Sequence, residues 1–288
     1  MLRPAIFCAA LAASACNLFS DDSSGAATGA ADAAADDDAA AGEDGGAPPD
    51  GGGAPACEGP FVVDDEADVD AIDECVEIVG KLTINLPGTT VELPVLGLLR
   101  GDLTMFTSFS APVLARVEGH ILGEPDAVAV SLPALTTAYS VRLGRKRSWT
   151  ETIDLSSLTT VSGGAGPWSG FFVVSNAKEL ATLSLPSLRS ISGHFAIYGN
   201  GSGFTTTQLI EAPLLESIGG GLHIDSHEEL TAIDFSSLTS IDPDGSFEIY
   251  GNETLPNCYA TVLLERLQAN GFDGSVYVYG NGTGTCPP

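Results

Sequence analysis

Basic residues are scarce in this chain: 11 Lys and Arg stand against 38 Asp and Glu in 288 residues, for a net charge of -27. From residue 57 onward the balance is still 10 basic to 29 acidic. No aromatic-interleaved basic face offsets it, which excludes nucleic acid as a favoured partner and leaves solubility as the benefit of the charge. Enzyme motifs are missing too. There is no G-x-S-x-G, no P-loop, no G-x-G-x-x-G and no H-E-x-x-H, so no catalytic residue, cofactor or metal is expected. No apolar run is long enough to span a bilayer, the clearest being Pro4 to Leu11.

What is present begins with export. Met1-Leu-Arg3 is a basic start, Pro4 to Leu11 the apolar stretch, and Ala12-Ala-Ser-Ala-Cys16 a run of small residues ending in cysteine. Ala13-Ser-Ala-Cys16 resembles the lipobox of bacterial lipoproteins, although a larger aliphatic residue is usual where Ala13 stands. The resemblance implies a signal peptide and lipidation site over residues 1–16, with Cys16 acylated and Asn17 directing the chain to the outer membrane. The alternative is an ordinary signal peptide cut near Ala15, releasing a secreted protein. Residues 17–56 contain no Lys or Arg and are mainly Ala, Gly, Asp, Ser and Pro. Such a segment cannot bury enough surface to offset its ordering entropy, and it reads as an acidic, disordered tether.

The folded part, residues 57–288, carries a repeated phrase, clearest as Leu183-Ser-Leu-Pro-Ser-Leu-Arg-Ser-Ile191 followed by Phe195-Ala-Ile197-Tyr-Gly-Asn200. Apolar pairs with period-two spacing recur as Leu82 and Ile84, Leu103 and Met105, Val141 and Leu143, Phe171 and Val173, Phe195 and Ile197, Leu222 and Ile224, Phe247 and Ile249, and Val276 and Val278. His120-Ile121-Leu122 is a weaker member. Short period-two runs separated by roughly 18 to 30 residues predict one strand per turn of a parallel coil, with neighbouring turns sharing one core. Between them lie Leu-Pro-x-Leu or Leu-Ser-Ser-Leu phrases, as in Leu132-Pro-Ala-Leu135 and Leu155-Ser-Ser-Leu158, whose Pro or Ser turns the chain. The segments Arg142 to Thr150 and Gly163 to Gly170 lengthen the middle coils. Cys8 and Cys16 belong to the leader, leaving Cys57, Cys75, Cys258 and Cys286. Three connectivities are open to them; the economical one joins Cys57 to Cys75 and Cys258 to Cys286, because each pair sits at one end of the array.

This pattern resembles the receptor L domain, a leucine-rich-repeat-like fold also found in bacterial surface lipoproteins. The resemblance runs from Cys57 to Cys286 and includes the opening Asp68-Val-Asp-Ala-Ile72 and Cys75-Val-Glu-Ile-Val-Gly80-Lys-Leu-Thr-Ile84. It implies a mainly β, right-handed parallel β-solenoid with a short capping helix at each end. The second helix is expected across Cys258 to Asn270, from the spacing of Ala260, Leu263, Leu264 and Leu267. Function, on this resemblance, is binding of a protein or glycan at the cell envelope. A carbohydrate-active β-helix enzyme is the alternative if two carboxylates and a basic residue meet in one groove; a purely structural envelope protein is another.

Alternation turns Tyr198, Tyr250 and Tyr279 outward, in a column with Val174 and Asp225. With His223 and Tyr277 they form the candidate binding face, since exposed aromatic rings stack on sugars or anchor a protein partner. Asn200, Asn252 and Asn281, with Asn176 in register, predict a ladder of turn asparagines; three lie in glycosylation-type sequons, for which the ladder is the preferred explanation. His223, Asp225 and His227 suggest metal ligands by type, but His227 falls in the following turn and no fourth ligand is evident. His120 and His194 stand alone beside repeat glycines. Asp64 to Asp70 lacks the glycine and distal glutamate of a calcium loop and suits a helix start. Arg142, Arg145, Lys146 and Arg147, beside Trp149, form a candidate basic loop.

Overall fold

The computed structural model describes residues 55–124, 126–144, 150–164, 169–199 and 206–286. Cys16, the tether apart from its last two residues, and Arg145, Lys146, Arg147, Trp149 and Asn200 lie outside the described residues. Among the described residues, parallel strands wind into a β-solenoid of about 8 turns with two helices. Sequence reading allots one strand to each turn; most turns carry three, one on each of three faces. The extra strands are only two or three residues long, as at Ser190–Ile191 and Thr182–Ser184, too short for a period of two to register.

The first face is the predicted column, extended one rung earlier by Phe61–Val63. Its inward row runs Phe61, Leu82, Leu103, Ile121, Val141, Phe172, Phe195, Leu222, Phe247, Val276, each opposite the next. Phe172 and Val174, not Phe171 and Val173, therefore point inward. The preceding coil spans 31 residues between Val141 and its partner Phe172, and this lengthening conceals the phase of the strand. The second face stacks Ile78, Leu99, Val117, Ala138, Val161, Ile191, Ile218 and Ile241 in the same way. The third pairs Val91, Phe109, Val130 and Ile153, then Leu183, Ile210 and Ile233. All these inward side chains but Phe61, Ile153 and Val276 are buried, so one continuous core runs along the axis.

The corner after the third face is a hydrogen-bonded turn, from Leu135 N–H to Leu132 C=O at 3.1 Å and from Leu188 to Leu185 at 3.2 Å. Pro133 and Pro186 occupy its second position, where a fixed φ is needed and no donor is lost. Where serine replaces proline the freed amide is satisfied locally: Ser156 N–H donates to Asp154 Oδ1 at 3.1 Å and Ser236 N–H to Asp234 Oδ1 at 2.9 Å. The Leu-Pro-x-Leu and Asp-Leu-Ser-Ser-Leu phrases are thus two solutions to one corner.

Both ends are capped and stapled. Helix α1, Glu66–Ile72, starts with a capping box in which Asp65 accepts from Asp68 N–H at 2.9 Å and Asp68 accepts from Asp65 N–H at 3.3 Å. This accounts for the acidic run at Asp64 to Asp70. Helix α2, Asn257–Ala269, buries Ala260, Leu263 and Leu267. The Cys57–Cys75 and Cys258–Cys286 disulfides are both formed, with Cα separations of 5.8 and 6.0 Å. Among the described residues no helix is long and apolar enough to cross a membrane.

Candidate functional site

The outward side of the first face carries two rows that matter. One aligns Ser175, Tyr198, Asp225, Tyr250 and Tyr279; the other aligns Val173, Ala196, His223, Glu248 and Tyr277. The tyrosine column thus exists, with Ser175 rather than Val174 as its member, a consequence of the shifted phase at Phe172. Arg142 is also corrected: it lies on the strand Thr137–Leu143, opposite Val173, not in a loop.

The column is not exposed along its whole length. Val173, Ala196, Ser175 and Asp225 are buried although they point outward. Tyr250 and Tyr279 stack on each other, with centroids 5.0 Å apart and planes 12° apart, so one face of each ring is covered. Exposed aromatic surface is therefore concentrated on the last rung, where Tyr277 is 51% and Tyr279 59% exposed.

Asp225 sits between Tyr198 and Tyr250 in the row. Burial raises its carboxyl above the usual range, against the opposing pull of hydrogen bonds from Ser226 and Tyr250 and of His223. Tyr198 is pushed up to about 12 by burial and then by the Asp225 charge; Tyr250 is raised by the same two causes. Both phenols stay protonated, and Tyr250 donates its hydroxyl hydrogen to Asp225.

In the adjacent row His223 Nδ1 lies 3.2 Å from Glu248 Oε2, while its Nε2 lies 3.2 Å from Ser246 Oγ and 3.3 Å from His194 Nδ1. Gly221 N–H donates to that His194 nitrogen at 2.9 Å, which fixes it as an acceptor. Burial, then the neighbouring His223, lowers His194. The hydrogen bond from His223 is the main reason Glu248 is held below the ordinary carboxylate range. His194 is not isolated, and neither it, Ser246 nor Glu248 stands out in the sequence. Aligning outward positions of successive coils would have found them, because Gly221 and Ser246 occupy the register of His194.

The remaining histidines belong to the framework. His227 is 2% exposed and occupies the register of Asn252, with Nε2 3.4 Å from Ile197 C=O. Burial pushes it down to about 4. It shares no ligand cluster with His223 and Asp225; among the described residues the one carboxylate and histidine grouping of metal-site dimensions is Asp64, Asp65 and Asp68, already engaged in the α1 cap. His120 Nδ1 meets Ser140 Oγ at 2.5 Å. The asparagine ladder is present at Asn252 and Asn281. Asn176 is not in it; at φ 57° it shares the row of left-handed Ser226, Gly251 and Gly280, one residue earlier than the asparagines.

Taken together, fold and site define a parallel β-solenoid with a polar and aromatic patch at the C-terminal end of one sheet face. No family model matches the chain, and no curated protein or solved structure matches it significantly.

Proposed function

We propose that this chain is an exported binding module of the cell envelope. A lipid on Cys16 anchors it in the outer membrane, the tether carries the solenoid clear of the surface, and the last rungs of the first face recognise a ligand. The observation that carries the reading is the exposure of Tyr277 and Tyr279 beside the buried Asp225 carboxylate and the half-buried phenols of Tyr198 and Tyr250. Free ring surface next to hydroxyl and carboxylate groups suits the apolar faces and hydroxyls of a glycan. Among the described residues no Lys or Arg forms an ion pair with Asp225 or Glu248, so the groove expected of a carbohydrate-active lyase gains no support, and an anionic glycan is disfavoured. The anchor rests on Ala13-Ser-Ala-Cys16 and the apolar run before it. The test is a glycan array probed with the chain and with a Tyr277→Ala, Tyr279→Ala variant: selective binding that the variant loses supports the reading, and equal binding by both opposes it.

A second reading, recognition of a protein strand, is favoured by one observation. Among the described residues Ser275–Tyr279 pairs with no strand but Ser246–Tyr250, and Ser-Val-Tyr-Val-Tyr holds no charged residue to guard its other edge.

A further inference from the structure

Three polar atoms converge where a side chain is missing. A Cβ placed on Gly221 would come within 2.6 Å of His223 Nε2, 2.7 Å of Ser246 Oγ and 3.0 Å of His194 Nδ1. Glycine at this position leaves His223 free to bridge Ser246 on one ring nitrogen and Glu248 on the other, both at 3.2 Å; Glu248 also accepts a hydrogen bond from Ser246 directly, so the hydroxyl must turn from the carboxylate to the imidazole to be activated. That connectivity of hydroxyl, imidazole and carboxylate is the arrangement by which a serine is made nucleophilic, and it is recognised by roles rather than by position in the sequence. All three side chains are only partly buried on the outer face, so an incoming acyl group can reach the hydroxyl.

We propose that Ser246 is a nucleophile, His223 its general base and Glu248 the positioning residue of a site that cleaves carboxylic esters. This goes beyond the binding reading and does not depend on it. In the first step Ser246 Oγ forms a bond to the ester carbonyl carbon while its proton passes to His223 Nε2. The carbonyl carbon then loses the alkoxide, which takes that proton and leaves as the alcohol. Water, deprotonated by the same nitrogen, attacks the acyl-serine and releases the carboxylic acid, returning the proton to Ser246. Glu248 holds Nδ1 and stabilises the imidazolium that forms. Since the site lies on a sheet face, its substrate class is an ester carried on a polymer or surface, such as an acylated glycan.

The experiment is labelling of the full-length chain by a fluorophosphonate probe, with the modified residue located by mass spectrometry. Selective labelling of Ser246 is expected, abolished in Ser246→Ala and slowed on the order of a hundredfold in His223→Gln. Glu248→Gln slows it about tenfold, and Glu248→Asp, which keeps the charge, recovers most of the rate. A Ser246→Cys variant guards against misfolding of the alanine form: its thiol reacts with iodoacetamide faster when His223 is present than in Ser246→Cys, His223→Gln. Labelling of Ser246 no faster than other surface serines, or rates indifferent to His223 and Glu248, overturns the proposal. Because the probe carries no glycan, failure of glycan binding leaves this result untouched.

Discussion

The Oδ1 atom of Asn281 accepts hydrogen bonds from both the backbone N–H and the side-chain amide of Asn252, at 3.3 and 3.2 Å. Asn252 repeats the gesture one coil earlier, accepting from His227 N–H at 3.1 Å, and each asparagine amide also reaches a carbonyl of the preceding coil, Ile224 at 3.0 Å and Ile249 at 2.8 Å. Turn residues thus bolt successive coils together through their side chains. Asn252 is fully buried, so Asn252→Ala leaves the His227 N–H without its side-chain acceptor and removes the bond to Ile224 C=O, and is expected to cost about 3 kcal/mol. The midpoint of denaturant unfolding measures it; a loss below about 0.5 kcal/mol, the level of a surface substitution, contradicts the ladder.

His227 makes stability depend on pH. In the unfolded chain it titrates near the ordinary 6.5, whereas burial in the fold lowers it to about 4. Between these values the unfolded state binds a proton that the folded state refuses, so stability is complete above pH 6.5 and falls as pH is lowered toward 4. The full loss is about 3 kcal/mol. His194, lowered for the same reason of burial, acts in the same direction. Since His227 occupies the register of Asn252, His227→Asn restores the ladder residue. Thermal unfolding followed from pH 7.5 to 4 is expected to show a shallower decline for that variant than for the wild type.

The rows of Phe on the first face give a packing prediction. Phe195 stacks on Phe172, with centroids 5.4 Å apart, and meets Phe235 edge-on at 5.4 Å. Phe195→Ala removes both contacts in a core that adjacent coils share, and a loss of about 4 kcal/mol is expected. Phe171→Ala, one residue out of phase with the core row, is expected to cost less; comparable losses in the two would place the wrong phenylalanine inside.

The core, the corners and both caps were legible in the sequence because a stacked coil repeats its demands: Leu132 and Leu135, or Leu185 and Leu188, recur with the turn residue between them. The phase at Phe172 was not, because a 31-residue coil separates it from Val141 and Phe171 and Phe172 are equally apolar. The site was half legible. Tyr198, Tyr250 and Tyr279 repeat one another and were visible as a column, but their mutual stacking and the burial of Asp225 arise only between coils. His194, Gly221, Ser246 and Glu248 repeat nothing, since each residue differs from its counterpart in the neighbouring coil, and only register brings them together.

Anchoring is separable from recognition. Replacing Cys16 by serine is expected to move the exported protein from the membrane fraction to the soluble fraction after detergent-free washing, with glycan binding unchanged. Retention in the membrane fraction would show that another feature holds the chain there.

Recognition by the last rung is tested most directly by comparing the wild type with Tyr279→Ala and Tyr198→Phe on one glycan array. Tyr279 offers the free ring face, while Tyr198 is largely covered, so selective binding is expected to fall at least tenfold in Tyr279→Ala, about 1.4 kcal/mol, and to survive in Tyr198→Phe. Binding that Tyr279→Ala leaves intact, or an array on which the wild type binds nothing, would contradict the account.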